Sequence, residues 1–182
     1  MKLKIILNKE EIVQHIQKIA EQIVKRHGSH KEIRLIGIRT GGAFLAARLQ
    51  KALIESGVPT PLLGILDITL YRDDWTKIGS TPIVGKTDLP FSVDDKLLIL
   101  VDDVLYTGRT VRAALDALMD YGRPKKIELA ILADRGAENR ELPIAPDYKG
   151  GTWNTSPEET INVYLEEGGF EDYVAIEAKK AA

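Results

Sequence analysis

The chain has 182 residues and a formal net charge of −2 at pH 7, and its 44% hydrophobic and 29% charged residues are typical of one globular domain. It has no cysteine, which excludes disulfides, thiolate chemistry and cysteine-based metal sites, and its balanced charge provides no overall attraction to nucleic acid. No apolar run approaches the ~20 residues of a membrane-spanning helix, and the apolar part of residues 1–7 is too short for a signal peptide, so we expect a cytoplasmic protein.

The apolar pattern predicts alternating strands and helices. In chain order these are a short strand at 3–7, a helix from 9 to 27, a strand at 33–38, a helix at 43–53, a strand at 62–70, a strand at 97–101, a helix at 109–121, a strand at 127–132, and strands near 161–165 and 173–176. This alternation predicts an α/β fold with a parallel sheet and right-handed crossovers. Residues 71–95 show no sustained periodicity, and a loop of that length is usually a lid or disordered.

The most informative segment runs from residue 98 to 110 and reads LILVDDVLYTGRT. Four apolar residues predict a buried strand, Asp102 and Asp103 follow where the strand would emerge, and a glycine turn then opens a helix. The unpaired N–H groups and the dipole of a helix start suit a phosphate, and Gly108 lets the backbone approach closely because it has no Cβ. Two carboxylates would repel a bare phosphate but suit the vicinal hydroxyls of a ribose. The implied ligand is a sugar phosphate, although a solvated Asp pair beside an ordinary turn would explain each element separately.

A second turn of this kind, Arg-Thr-Gly-Gly at residues 39–42, lies between the first core strand and the next helix. Ligands bind at the carboxyl ends of the strands in open α/β sheets, so the two turns are expected to lie close together. The alternative is a plain strand–helix turn that uses glycine for its conformation.

Segment 98–110 matches at every position the phosphoribosyl-diphosphate (PRPP) motif of type I phosphoribosyltransferases, and in detail it resembles the PyrR family. These proteins are pyrimidine operon regulators that also act as uracil phosphoribosyltransferases. Residues 67–74 and 134–144 also resemble this family. The sequence departs from it in two places: Thr-Gly-Gly at residues 40–42 replaces the common Thr-Arg-Gly, and three residues instead of one separate Gly136 from Arg140.

The resemblance implies one type I phosphoribosyltransferase domain over 1–182, with a mostly parallel sheet flanked by helices. Its core would span about 30–135, a small hood would come from about 1–8 and 136–182, and a long flexible loop would cover the site. The implied reaction converts uracil and PRPP to UMP and diphosphate, with Mg²⁺ held by the substrate rather than by a protein cage. A homo-oligomer, dimer or tetramer, is also implied.

The resemblance also implies roles for individual residues. Asp102 and Asp103 would bind the ribose hydroxyls and offset the developing ring charge, and Arg72, on the lid, would act on the leaving diphosphate. Arg135 would either contact the diphosphate or pair with Asp134. The full set of implied substrate-binding residues is Arg39, Thr40, Gly41 and Gly42 with Arg135 for the diphosphate, and Val104, Leu105, Tyr106, Thr107, Gly108, Arg109 and Thr110 around the 5′-phosphate.

Two alternatives remain at this point. In the first, the protein is an RNA attenuator that binds PRPP or UMP as an effector, since family regulators bind messenger RNA through a basic face that includes the first helix. That helix has Lys18, Lys25 and Arg26, but Gln17 and Glu21 replace the Thr and His of many regulators, which favours the enzyme. In the second, the protein is a purine phosphoribosyltransferase, because a Gly-Gly pair in the diphosphate turn is typical of such enzymes.

Overall fold

The computed structural model describes residues 3–28, 32–73 and 85–179, and these residues form two sheets and three α-helices. The bounds are β1 Lys4–Leu7, α1 Lys9–His27, β2 Arg34–Ile38, α2 Gly41–Glu55, β3 Leu62–Leu66, β4 Leu97–Leu105, α3 Arg109–Met119, β5 Lys126–Asp134, β6 Tyr148–Thr152, β7 Glu159–Tyr164 and β8 Tyr173–Ala178. Short 3₁₀ turns occur at Thr69–Tyr71, Ala137–Asn139 and Glu166–Gly168. In this part of the chain, no helix is long and apolar enough to span a bilayer.

The larger sheet has five parallel strands in the order β3-β2-β4-β5-β6, which confirms the predicted α/β fold. Helices α1 and α2 cover one face, where Ile16 and Leu45 pack in the same cluster as Val101. Helix α3 covers the other face, where Val111 packs in the same cluster as Leu100. Because both faces are buried, β4 begins as the continuous apolar run that the sequence shows.

The smaller sheet, called the terminal sheet below, is antiparallel in the order β1-β8-β7 and pairs β1 near the start of the sequence with β8 near its end. A hood from the terminal segments was expected, and this sheet corresponds to it. The expected hood range of 136–182 is too long, however, because β6 pairs with β5 and completes the parallel sheet. The sequence pattern misses β6 because Tyr-Lys-Gly-Gly-Thr contains two glycines, which have low strand propensity.

Two further differences concern where the elements end. Strand β4 continues to Leu105, so Asp102 and Asp103 lie within the strand rather than after it. Strand β3 ends at Leu66, four residues earlier than predicted, and the 3₁₀ turn follows. The predicted lid, about residues 72–85, lies largely outside the described residues.

A buried polar cluster lies near the start of β5, at the end of the sheet opposite the acidic pair. The Glu128 side chain is fully buried and accepts hydrogen bonds from Lys126 at 2.7 Å and from Tyr148 at 2.5 Å, and His27 Nε2 lies 2.7 Å from it. Burial alone would raise the pKa of Glu128, but these hydrogen bonds outweigh it and lower the pKa to about 2. The cluster therefore stabilises the fold through an ionised buried carboxylate.

We expect the substitution Glu128→Gln to lower the free energy of unfolding at pH 7 by about 3 kcal/mol. The folded-state pKa lies below the ordinary value, so this stabilisation is present above about pH 4.5 and is lost as the pH falls towards 2. Urea unfolding at several pH values measures the difference. Glu55→Gln, at an exposed position of α2, is the control and should have little effect. A wild-type advantage that stays constant down to pH 2 would contradict the assignment.

Candidate active site

The turn between β4 and α3 lines a cavity of about 310 Å³. The cavity is formed by residues 104–111 together with Arg72 and Asp73. Gly108 precedes the helix with a φ of 94°, a left-handed conformation that glycine adopts without a steric penalty. Gly108 provides no side-chain cap, and Arg109 N donates to Thr107 Oγ1 over a long 3.4 Å. The start of α3, with the positive end of its dipole, lines this cavity. The arrangement suits an anion, as the sequence predicts.

The carbonyl groups of this turn are occupied on the side facing residues 135–142. The Leu105 carbonyl accepts from Arg135 N at 3.0 Å, and the Thr107 carbonyl accepts from Glu141 N at 3.0 Å. In a trans peptide the C=O and the following N–H point in opposite directions. The N–H groups of Tyr106 and Gly108 are therefore directed away from the segment that binds the carbonyls, on the side where a phosphate would accept from them.

The two carboxylates at the end of β4 are held differently. Asp102 is 6% exposed, and its Oδ1 accepts from Asp103 N at 3.0 Å. Asp103 is half-buried, accepts from Val104 N at 2.7 Å, and lines a second cavity of about 520 Å³ between β4 and the terminal sheet. Asp103 is thus the more accessible of the pair, and Asp102 holds its backbone N–H through a hydrogen bond.

The electrostatics of this pair follow from burial. Burial raises the pKa of Asp102 well above its ordinary range, and the neighbouring charge of Asp103 raises it further. The pKa of Asp103 is also raised by burial. The positive charge of Arg72 acts on Asp102 in the opposite direction, so Arg72 lies close enough to influence the pair. Such a pair favours ligands that bring hydroxyl groups and positive charge.

The turn at residues 39–42 meets the acidic pair directly. A Cβ on Gly41 would overlap Asp103 Oδ2, and a Cβ on Gly42 would overlap the Val101 carbonyl. The two glycines therefore allow the start of α2 to approach the end of β4. The structure thus places the turn at residues 39–42 and the carboxylates side by side, and the Arg39–Thr40 peptide bond within this turn is cis.

We expect Gly41→Ala to lower kcat by roughly 10- to 100-fold, since the added methyl group would displace the Asp103 carboxylate by about an ångström. Backbone strain is not the cause, because Gly41 has the conformation of an ordinary first helical residue. Steady-state kinetics measure the effect. Gly168→Ala in the 3₁₀ turn between β7 and β8, where the new Cβ would lie 3.3 Å from Phe170, is the matched control. Unchanged kcat in Gly41→Ala would mean that Asp103 tolerates displacement.

The arginines predicted for the site are placed unequally. Arg39, an exposed residue of the turn at 39–42, donates to the Lys86 carbonyl at 3.0 Å and lies 3.8 Å from Asp67. The Arg109 side chain forms ion pairs with Glu141 and with Asp73, which lines the same cavity. Arg72 lines the anion cavity.

Arg135 differs from expectation. It is 2% exposed, donates to Thr155 Oγ1 at 2.7 Å and to the Glu159 carbonyl at 2.8 Å, and lies over the Tyr106 ring at 3.6 Å. The guanidinium therefore connects the phosphate turn to the terminal sheet, which argues against the expected diphosphate contact. The predicted alternative, pairing with Asp134, is wrong because Asp134 pairs with Arg140. In the sequence, the only signal for Arg140 is that it lies within residues 134–144, which resemble the family named above.

Comparisons with known proteins agree with this geometry. A family model described as a phosphoribosyl transferase domain matches residues 2–167. Relatives named "Bifunctional protein PyrR" are 46% identical in Syntrophobacter fumaroxidans, over 96% of this chain and 92% of that protein, and 50% identical in Halalkalibacterium halodurans, over 97% and 98%. The hypoxanthine phosphoribosyltransferase of Trypanosoma cruzi has a similar fold, with a TM-score of 0.69 at 19% identity over 97% of both chains.

Proposed function

Since the chain belongs to the PyrR family of phosphoribosyltransferases, we propose that it transfers phosphoribose from PRPP to uracil, giving UMP and diphosphate. In this reaction the bond from C1′ to the diphosphate oxygen breaks, a bond from uracil N1 to C1′ forms, and the N1 proton leaves. The observation that carries the proposal is the meeting of an anion-binding turn, a buried acidic pair and a second glycine turn at one edge of the sheet.

The proposed roles follow from these positions. The amides of the turn, with the hydroxyls of Thr107 and Thr110, bind the 5′-phosphate. Asp102 and Asp103 bind the ribose hydroxyls and offset the positive charge that develops on the ring in the transition state. The turn at 39–42 and the guanidinium of Arg72 receive the leaving diphosphate.

Mg²⁺ fits this site as an ion carried by the substrate. Among the described residues, no group of three or more histidine, aspartate or glutamate side chains could hold a metal ion. The two carboxylates offer the oxygen atoms that Mg²⁺ prefers, and PRPP would provide the others. When bound, the ion neutralises diphosphate charge, and the raised pKa values of the pair are consistent with a site built to receive positive charge.

The test of this function is UMP formation from uracil, PRPP and Mg²⁺, followed by chromatography. Hypoxanthine and guanine are supplied in parallel reactions. Turnover of uracil alone supports the proposal. Turnover of a purine without uracil would assign the protein to the purine transferases, which share this fold.

Binding of pyrimidine-operon leader RNA is a second candidate function, favoured by the word "bifunctional" in the names of the relatives. Two of the basic residues named on α1 have protein partners: Lys18 donates to the Gly150 carbonyl at 2.8 Å, and Arg26 donates to Asp147 at 2.8 Å. The ion pair with Asp147 offsets the charge that Arg26 would offer to RNA phosphates, so we rank this function second. Filter binding with and without UMP tests it, and tight UMP-enhanced binding would reverse the ranking.

We also propose that the protein is a homo-oligomer, dimer or tetramer. Leu70, Met119 and Tyr121 are each at least half exposed, and such apolar surface favours association between copies. Sedimentation equilibrium measures the mass directly.

A further inference from the structure

Arg140 lies beneath the phosphate-binding turn, on the side away from the anion cavity. Its guanidinium donates to the Tyr106 carbonyl at 2.5 Å, to the Gly136 carbonyl at 3.1 Å and, through Nε, to the Ile144 carbonyl at 3.2 Å. A longer contact of 3.4 Å reaches the Leu105 carbonyl. One side chain thus holds backbone carbonyls from three separate parts of the chain.

The charge of this arginine is neutralised inside the protein. The Arg140 side chain is 10% exposed and pairs with Asp134, whose side chain is 5% exposed. Asp134 also accepts from Gly136 N at 3.0 Å, and Lys149 lies 3.7 Å from its other oxygen. Buried ion pairs of this kind often contribute little net stability, since both partners lose their hydration.

We propose that Arg140, oriented by Asp134, is a positioning residue that sets the phosphate-binding turn in its anion-binding conformation. The inference rests on the proposed function only in taking the anion to be the 5′-phosphate of a sugar phosphate. Because Arg140 holds the Tyr106 carbonyl from below, the N–H of Thr107 in the same peptide unit is directed to the opposite side, where the phosphate binds.

The backbone amides of Glu141 and Leu142 extend this support by donating to the Thr107 carbonyl, at 3.0 and 3.3 Å. The Arg140 guanidinium thereby completes a row of occupied carbonyls at Leu105, Tyr106 and Thr107. A lysine at this position keeps the charge but has a single ammonium group, which cannot hold several carbonyls in the fixed planar arrangement of a guanidinium.

The test compares two ligands, ribose 5-phosphate and diphosphate, which we expect to bind at different turns of the site. For Arg140→Lys, we expect the Kd of ribose 5-phosphate, measured by calorimetry, to rise at least about tenfold, because the amides lose their preset direction. The Kd of diphosphate, which the turn at 39–42 would bind, should change less than about twofold. In turnover assays, KM for PRPP should rise while KM for uracil stays unchanged.

Arg48→Lys provides the matched control. Arg48 is also a largely buried arginine in ion pairs, with Asp172 at 2.5 Å and Glu167 at 2.6 Å, but it lies between α2 and the terminal sheet. The substitution Arg48→Lys should lower the melting temperature as Arg140→Lys does and leave the affinity for ribose 5-phosphate unchanged.

Several results would overturn the inference. One is equal weakening of both ligands in Arg140→Lys, and another is a lower melting temperature with wild-type affinity for ribose 5-phosphate. The inference and the proposed function fail separately. If wild type binds ribose 5-phosphate, Arg140→Lys binds it tenfold more weakly and neither forms UMP, then the positioning role stands and the uracil assignment is wrong.

Discussion

Replacing Asp103 with asparagine is expected to lower kcat roughly 100-fold while KM for PRPP changes less than about threefold. The amide keeps the shape of the carboxylate and can still bind a ribose hydroxyl. It lacks the negative charge that offsets positive charge on the ring, which develops only in the transition state. Initial-rate kinetics with uracil and PRPP separate the two parameters.

A pH profile adds an independent measurement for the same variant. The charge of Asp103 raises the pKa of Asp102, so its removal lowers that pKa. We therefore expect the rising limb of kcat/KM to move to lower pH in Asp103→Asn. Asp116→Asn, in an exposed ion pair with Arg112 on α3, is the control and should show wild-type kinetics. Equal losses in kcat and in PRPP affinity would argue against a role in the transition state.

The substitution Gly108→Val is expected to abolish detectable PRPP binding while the protein remains folded. From the sequence alone, the reason would be a Cβ in the space of the phosphate. The structure corrects this, because the Cβ position at Gly108 lies 3.4 Å from Ile144, beneath the turn. The cause is instead the φ of 94°, which a β-branched residue avoids at a cost of about 1–3 kcal/mol, so the turn changes conformation.

Gly57→Val is the matched control for this substitution. Gly57 has a φ of 84°, and no neighbouring atom lies within 4 Å of its Cβ position. The substitution Gly57→Val therefore places a β-branched residue at a positive φ, as Gly108→Val does, but away from the site. Both variants should lose similar stability in thermal unfolding, and only Gly108→Val should lose PRPP binding by calorimetry. Wild-type affinity in Gly108→Val would mean that the phosphate does not bind at this turn.

The features that local sequence determines were predictable. Helix α1 has the predicted bounds, because apolar residues recur with its period and Asn8 and Glu11 form a capping box at its start. The phosphate turn was predictable because its apolar strand, acidic pair and glycine are contiguous in segment 98–110. The structure brings this turn and residues 39–42 together through the parallel pairing of β2 and β4.

The partners of Arg135 and Arg140 were not predictable, because they depend on contacts between distant segments. Neighbouring side chains along an extended strand point to opposite sides, so Asp134 and the adjacent Arg135 do not meet. Arg135 reaches Thr155 near the terminal sheet, and Asp134 meets Arg140 across a turn in which three residues separate Gly136 from Arg140. The sequence left two partners open for Arg135, the diphosphate and the neighbouring Asp134.

The pairing of β1 with β8 has a consequence for biosynthesis. The ribosome makes Lys4 of β1 before the parallel sheet and its partner Ile176 of β8 after it. Strand β1 therefore lacks its neighbour while the parallel sheet forms. The anion-binding turn can assemble from segments already made, but the wall that the terminal sheet contributes beside Asp103 is added last. A chain that ends before residue 173 would therefore lack β8, and the cavity beside Asp103 would lose one of its walls.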